Sequence, residues 1–304
     1  MKHTQDKRFF LSVFLPPAVW TALFFILPLS LIWLFSFGEK DGLIDINLVW
    51  TAENYLRALD PIYLQVFIKS VLVAGLATLI CLLVGVPTAM MIVFSPPRWR
   101  PYLLLLIVLP FCTNLLIRTY ALIAVLRMRG YLNFSLSWMH EQAHTVSSFV
   151  GLGGLADWVL GERYVPLELL YNNYAVVIGL VYVHLPFMVL PVYASLEKLD
   201  RSYIEASLDL GAGPFRTFRS VIVPLIMPGI ISGIIITFIP SLGSYLTPDL
   251  LGGTDSTMIA NIIERQFKSA NDWPFGSALS FILMYITFGF LAIRAVMNKG
   301  EGRI

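Results

Sequence analysis

The sequence predicts an all-α polytopic membrane protein, and three observations carry that prediction. Hydrophobic residues make up 57% of the 304 and charged residues only 13%, against about 25% charged in an average globular domain. Mean hydropathy is +0.76. Six apolar runs of about 20 residues or more occur along the chain, each long enough for a helix to cross a hydrocarbon layer of about 30 Å. So few charges cannot cover a water-facing surface. The same composition excludes disorder, a fibrous repeat and a disulfide scaffold. Closed membrane strands would alternate in short segments, so the runs are read as helices. A net charge of +2 without a long basic run argues against a nucleic-acid partner.

The first span, about residues 9–37, follows Lys2, Lys7 and Arg8. It is longer than the roughly 7–15-residue core of a secretory signal and shows no small-residue cleavage site, so it is read as a retained span. The others are about 66–94, 102–126, 174–196, 221–242 and 275–296, giving six transmembrane helices in one domain over 1–304. Pro87, Pro110, Pro186, Pro191, Pro228 and Pro240 fall inside these runs. They predict kinks where the freed carbonyls find partners on neighbouring helices. Cys81 and Cys112 also lie in apolar runs and are expected as small buried hydrophobes. Two such residues support neither a disulfide framework nor a thiolate zinc site.

Lys and Arg set the orientation. Segments 1–8, 95–100, 197–219 and 297–304 carry 11 basic residues in 45, whereas 38–65, 127–173 and 243–274 carry 7 in 107. The first set is therefore placed in the cytoplasm, with both termini inside. The outside segments hold 13 acidic residues, among them Asp41, Asp249 and Asp272, a surface that favours cations.

Only one inside loop is long, 197–224. Residues 201–210 fit a short amphipathic helix with Tyr203, Ile204, Ala206, Leu208 and Leu210 on its apolar side. Arg201, Glu205 and Asp209 follow at i, i+4 on the polar side. Gly211 stands where a left-handed C-terminal turn is needed, and Pro214 blocks continuation. A short helix outside the membrane cannot bury its own apolar side, so it predicts docking into a groove of another protein.

Glu205-Ala206-Ser207, three residues, Gly211, nine residues, then Val221-x-Val223-Pro224 resembles the EAA loop of permeases of binding-protein-dependent ABC importers. The family pattern is Glu-Ala-Ala, three, Gly, nine, Ile-x-Leu-Pro, so Ser207, Val221 and Val223 depart from it by small or apolar replacements. Asn114-Leu-Leu-Ile-Arg118-Thr-Tyr120, His184-Leu-Pro186-Phe187-Met-Val-Leu-Pro191, Ser195-Leu-Glu-Lys-Leu-Asp200, Asp249-Leu-Leu-Gly252-Gly253 and Asp272-Trp273-Pro274 narrow the likeness. They resemble permeases of spermidine/putrescine importers, in the CysTW subfamily. The likeness covers about residues 50–296 and is weakest at 133–170.

The resemblance implies the six-helix fold of type I ABC importer permeases and a bacterial inner-membrane location. It implies a second homologous permease, a dimer of cytoplasmic ATPases on the EAA loops, a periplasmic substrate-binding protein and membrane lipid as partners. It assigns ATPase coupling to Glu205, Ala206, Ser207, Gly211 and Pro224. No Gly-x4-Gly-Lys-Ser/Thr sequence occurs, so ATP and Mg are expected on the ATPase chain and no cofactor on this one. The expected function is inward translocation of polyamines by alternating access, without covalent chemistry. The alternative cargo is another small solute such as iron, sulfate, phosphonate or an opine-like cation.

Candidate residues of the substrate path are weighed individually. Asp249 and Asp272 flank the last two spans and offer negative charge to a polyamine, although Asp272 before Pro274 also suits a helix N-cap. Tyr120, Tyr182 and Tyr245 can offer cation–π faces, with ordinary packing as the plainer reading. Arg118, inside the third run, is expected to pair in the protein interior with a loop acid such as Asp249. His184 is expected to be hydrogen-bonded in the packing or to line the path. His140-Glu141-Gln142-Ala143-His144 matches the His-Glu-x-x-His pattern of zinc proteases, with Glu162 or Glu168 as a possible third ligand. Its place in the outside insertion, with no supporting motif, favours a surface helix, so no metal site is expected.

Overall fold

The computed structural model describes residues 13–42, 45–149 and 164–301. Among the described residues four helices are long and apolar enough to cross a membrane: α1 (Val13–Phe35), α3 (Pro61–Phe94), α7 (Asn173–Glu197) and α9 (Pro214–Leu242). A further helix, α12 (Trp273–Glu301), follows the short α11 (Ile259–Lys268) and is apolar over Trp273–Gly289. Between α1 and α3 lie a hairpin of β1 (Glu39–Asp41) and β2 (Asp45–Asn47) and the short α2 (Glu53–Ala58). Contacts divide the chain into two compact units. One takes the residues up to Gln65 with those from Ile262 onward, and the other takes Val66–Asn261.

The third apolar run is not a continuous helix. α4 (Arg100–Val108) tightens into a 3₁₀ turn at Leu109–Cys112, and the path bends by 97° before α5 (Leu115–Leu126). The cause is local. Pro110 cannot donate to the helix ladder. Thr113 is extended (φ −87°, ψ 153°), and Asn114 caps the new helix by accepting the Leu116 N–H at 2.8 Å. Cys112 ends the tight turn and is exposed, unlike Cys81, which is buried. The expectation of two buried cysteines therefore fails at Cys112, because the break turns it away from the packed side. By contrast, Pro87, Pro186, Pro191, Pro228 and Pro240 stay inside α3, α7 and α9.

The unit Val66–Asn261 is built on α3, α7 and α9. Its α3 buries Ala74, Ala77, Thr78, Cys81, Gly85, Ala89 and Ile92, one stripe at helical spacing and mostly of small residues. Met188, Val189, Val192 and Leu196 of α7 and Ile222, Ile226 and Ile230 of α9 complete that core. Close approach depends on glycine at one point in particular. A Cβ on Gly233 would meet Met188 Sδ at 2.7 Å and the Met188 carbonyl at 3.2 Å. Ile178, Tyr182 and Leu190 on α7, and Leu225, Met227 and Ile236 on α9, remain exposed, as lipid or a partner helix requires.

Residues 127–173, read from sequence as an outside insertion with a surface helix at the two histidines, contain α6 (Tyr131–Phe149). Asn133 holds the returning strand of chain. Its side-chain amide donates to the Leu167 carbonyl at 3.0 Å, and its oxygen accepts the Leu167 N–H at 2.8 Å and the Tyr164 hydroxyl at 2.7 Å. Only 4% exposed, it is a fully used amide of the kind that fixes a loop. Asn172 then caps α7 through the Ala175 N–H at 2.9 Å.

In the other unit, α12 packs on α1 and α2. Trp33 Nε1 donates to the Tyr285 hydroxyl at 3.1 Å. The side-chain amide of Asn54 donates to the carbonyls of Ser36 and Gly38 at 3.1 and 2.8 Å. Lys40 Nζ donates to the Ala270 carbonyl at 2.6 Å.

Candidate functional site

The exposed helix expected at 201–210 is present as α8 (Ser202–Asp209). Its start is set by Asp200, whose carboxylate accepts the Ser202 N–H at 3.0 Å. That bond holds the Asp200 carboxyl below its ordinary range. Its end is a Schellman motif. The Gly211 N–H donates to Leu208 and the Ala212 N–H to Ser207, at 2.9 and 3.1 Å. Gly211 has φ +81°, a left-handed conformation that a side chain disfavours by about 1–2 kcal/mol. The glycine of the EAA spacing is thus required by the backbone.

Ser207, where the family pattern has Ala, makes a hydroxyl–hydroxyl hydrogen bond of 3.0 Å with Thr217. Thr217 is 2% exposed. This bond ties α8 to the first turn of α9. Thr217 escapes sequence reasoning because nothing in its local pattern marks it as a partner. Glu205, Ala206 and Gly211 are exposed, and Pro224 is exposed within α9. On the apolar side, Tyr203, Leu208 and Leu210 are 57%, 46% and 88% exposed, with Phe215 beyond them at 76%. Ile204 packs against the core cluster, while the rest of that side is open, as a docking element requires. On the polar side, Arg201 lies 6.0 Å from the centroid of the Phe94 ring.

The path candidates fall in different places. Arg118, in the first turn of α5, is 7% exposed. Its Nη2 donates to the Thr113 carbonyl at 3.3 Å, and its guanidinium sits 5.7 Å over Phe111. It has no ion pair with Asp249, contrary to expectation, because Asp249 lies in the exposed first turn of α10 (Leu246–Leu251) while Arg118 folds back on its own N-terminal turn. His184 is 5% exposed, its Nδ1 is 2.9 Å from the Leu180 carbonyl, and its ring lies 6.0 Å from Phe187. Phe187 in turn meets Phe111 edge-on at 5.1 Å. Arg118 and His184 therefore belong to one aromatic-lined cluster. Tyr120, Tyr182 and Tyr245 are 58%, 39% and 43% exposed.

Asp272 is more engaged than its neighbours in sequence suggest. One oxygen caps α12 by accepting the Phe275 N–H at 3.2 Å, and the other pairs with Arg57 Nη1 at 2.8 Å. Arg57 also stacks 4.0 Å over Phe275. Partial burial works against the Arg57 cation, but the hydrogen bond and charge of Asp272 outweigh it and hold the guanidinium above its ordinary value.

His140 and His144 do share one helix face, with ring centroids 4.5 Å apart and His140 6.0 Å from Tyr164. Among the described residues no group of three or more His, Cys, Asp or Glu side chains could hold a metal. Glu162 lies outside the described residues, and Glu168 lines a cavity with Arg127 and Arg129.

This combination of apolar spans, a bend in the third run and an exposed amphipathic helix between α7 and α9 defines a transport permease. Residues 62–297 match the family described as binding-protein-dependent transport system inner membrane component, and the chain belongs to it. It is 41% identical over 267 residues to the spermidine/putrescine transport system permease protein PotB of Escherichia coli K12, covering 88% of this chain and 90% of that protein. It is 38% identical over 284 residues to PotB of Haemophilus influenzae, covering 92% of each. Its fold matches a chain in the crystal structure of a bacterial ABC transporter involved in the import of alginate. The TM-score is 0.72 at 14% identity, over 98% of this chain and 97% of that one. These relatives are transport subunits and not enzymes.

Proposed function

We propose that this chain is a permease subunit of an ATP-driven importer that moves polyamines of the spermidine/putrescine kind inward. The observation that carries the reading is α8: a short amphipathic helix, ended by an obligatory left-handed Gly211 and open along Tyr203, Leu208 and Leu210. It stands at the EAA spacing of a chain 41% identical to a spermidine/putrescine permease.

In this reading α8 docks in a groove on a cytoplasmic ATPase, which carries ATP and Mg, and both chain termini lie on that side. A second homologous permease completes the pathway, and a periplasmic binding protein delivers the cargo. Nucleotide binding shifts the docked helix, and the Ser207–Thr217 bond passes that shift to α9. A ligand moves such an equilibrium only through its differential affinity for the two states, so ATP must favour one bundle state through α8. Glu205, Ala206, Ser207, Gly211 and Pro224 form the coupling segment. Asp249, an exposed carboxylate near Tyr245, is the acid best placed to meet a polycation. Asp272 serves first to hold α12 and Arg57, and Tyr120, Tyr182, His184 and Arg118 are secondary candidates.

The test uses the assembled complex with its binding protein in proteoliposomes. Spermidine or putrescine stimulates ATP hydrolysis on this reading. Stimulation by sulfate or ferric iron with none by either polyamine would replace the cargo assignment.

A further inference from the structure

Beside α8 lies a cavity of about 360 Å³ that the coupling function leaves unused. It opens between the end of α3, the 97–100 turn, the end of α7 and the start of α8. Its walls are of two kinds. Val93, Phe94, Leu196, Leu199 and Ile204 give an apolar lower part, while Arg100, Arg201 and Glu197 supply charge.

Among the described residues neither guanidinium is paired with a carboxylate. Arg100 Nε donates only to the Ser95 carbonyl, at 3.2 Å, and Arg201 rests over Phe94. The Glu197 carboxylate accepts the Tyr193 hydroxyl at 2.8 Å. Two cations and one anion leave the lining one positive charge in excess. Basic pockets between membrane helices on the cytoplasmic side recognise anionic head groups, and the apolar wall matches an acyl chain.

We infer that this cavity binds the phosphodiester head group of an anionic phospholipid, with the phosphate between Arg100 and Arg201 and one acyl chain along Phe94, Leu199 and Ile204. The single negative charge of a phosphatidylglycerol head group balances the excess on the lining. Because Leu199, Arg201 and Ile204 lie in or next to α8 while Phe94 and Arg100 belong to the α3–α4 corner, a bound lipid joins the coupling helix to the second span. The inner-leaflet position rests on the orientation given under Proposed function, whereas binding itself is read independently of cargo or transport.

The test is lipid retention by the whole complex. The complex is extracted from nanodiscs of zwitterionic lipid containing phosphatidylglycerol, and native mass spectrometry counts the lipid that stays bound. Arg100→Gln and Arg201→Gln each lower phosphatidylglycerol retention by about fivefold, the worth of one basic residue near an anionic surface. Glu197→Gln raises it. Arg98→Gln, a nearby change outside the lining, leaves it unchanged and controls for folding and for bulk surface charge. Added inorganic phosphate does not displace the lipid, because the acyl chain contributes to binding. Equal retention in all variants would overturn the proposal. Displacement by inorganic phosphate would overturn it in favour of a free-anion site. Loss of the ATPase subunits with lipid retention intact would overturn it in favour of an ATPase contact.

Discussion

Ser207, Gly211 and Asp249 differ in what the sequence could say of them. Gly211 was legible, because a glycine six residues after the Glu of an amphipathic stretch has one common use, and φ +81° is that use. Ser207 was legible only as a departure from a pattern; the buried Thr217 hydroxyl ten residues away explains it. Arg118 shows where local reasoning stops. A charge in an apolar run demands an acceptor, but the acceptor is the Thr113 carbonyl of its own turn and not a distant acid. At this scale the charge on Asp249 is testable. A single exposed pair is worth only about 0–1 kcal/mol, yet the same carboxylate gains weight where water is excluded. Asp249→Asn is therefore expected to lower spermidine uptake more than Asp41→Asn, an equal charge change in the β1–β2 hairpin. The comparison is made at equal membrane abundance and at two salt concentrations. Equal uptake by Asp249→Asn and the unmodified protein would remove Asp249 from the path.

At the scale of elements, apolar length located the long helices but not the break in the third run. Pro110 looks no different in sequence from Pro186 or Pro228, which stay inside helices. What breaks the third run is the succession of Pro110, an extended Thr113 and the capping Asn114, and α7 and α9 lack that succession. Hydropathy likewise says nothing about which face of a span packs on protein, since lipid and core are equally apolar. The small-residue stripe of α3 and Gly233 of α9 supply that information. Gly233→Leu should wedge α9 off Met188, and overpacking of this kind costs about 1–3 kcal/mol. Gly75→Leu on α3 adds the same side chain into open space, where no atom lies within 4 Å. Thermal unfolding of the purified complex, followed by intrinsic fluorescence, is expected to shift downward for Gly233→Leu and not for Gly75→Leu.

For the whole molecule, the fold class and the position of α8 could be read from the chain, because hydropathy and motif spacing are local properties. The division into two units could not. The unit that joins residues before Gln65 to those after Ile262 is held by pairs such as Arg57–Asp272, 215 residues apart. No periodicity encodes such a pairing, so the sequence shows Asp272 as a helix cap and a path candidate but not as the partner of Arg57. The tie between α6 and the returning chain was equally hidden, since the fixing residue is Asn133, an unremarkable amide in sequence.

The central claim is that α8 transmits ATP-driven motion to the bundle, and it is tested most directly by the ratio of spermidine molecules imported to ATP hydrolysed. The measurement is made in proteoliposomes holding the complete complex, with the unmodified chain and with Gly211→Pro. Proline cannot adopt the left-handed turn or donate the Gly211 N–H to Leu208, so the end of α8 is lost while the spans still insert. The account predicts continued ATP hydrolysis with the import ratio reduced at least about tenfold, a coupling loss of about 1.4 kcal/mol or more. An unchanged ratio in a normally assembled Gly211→Pro complex would contradict it.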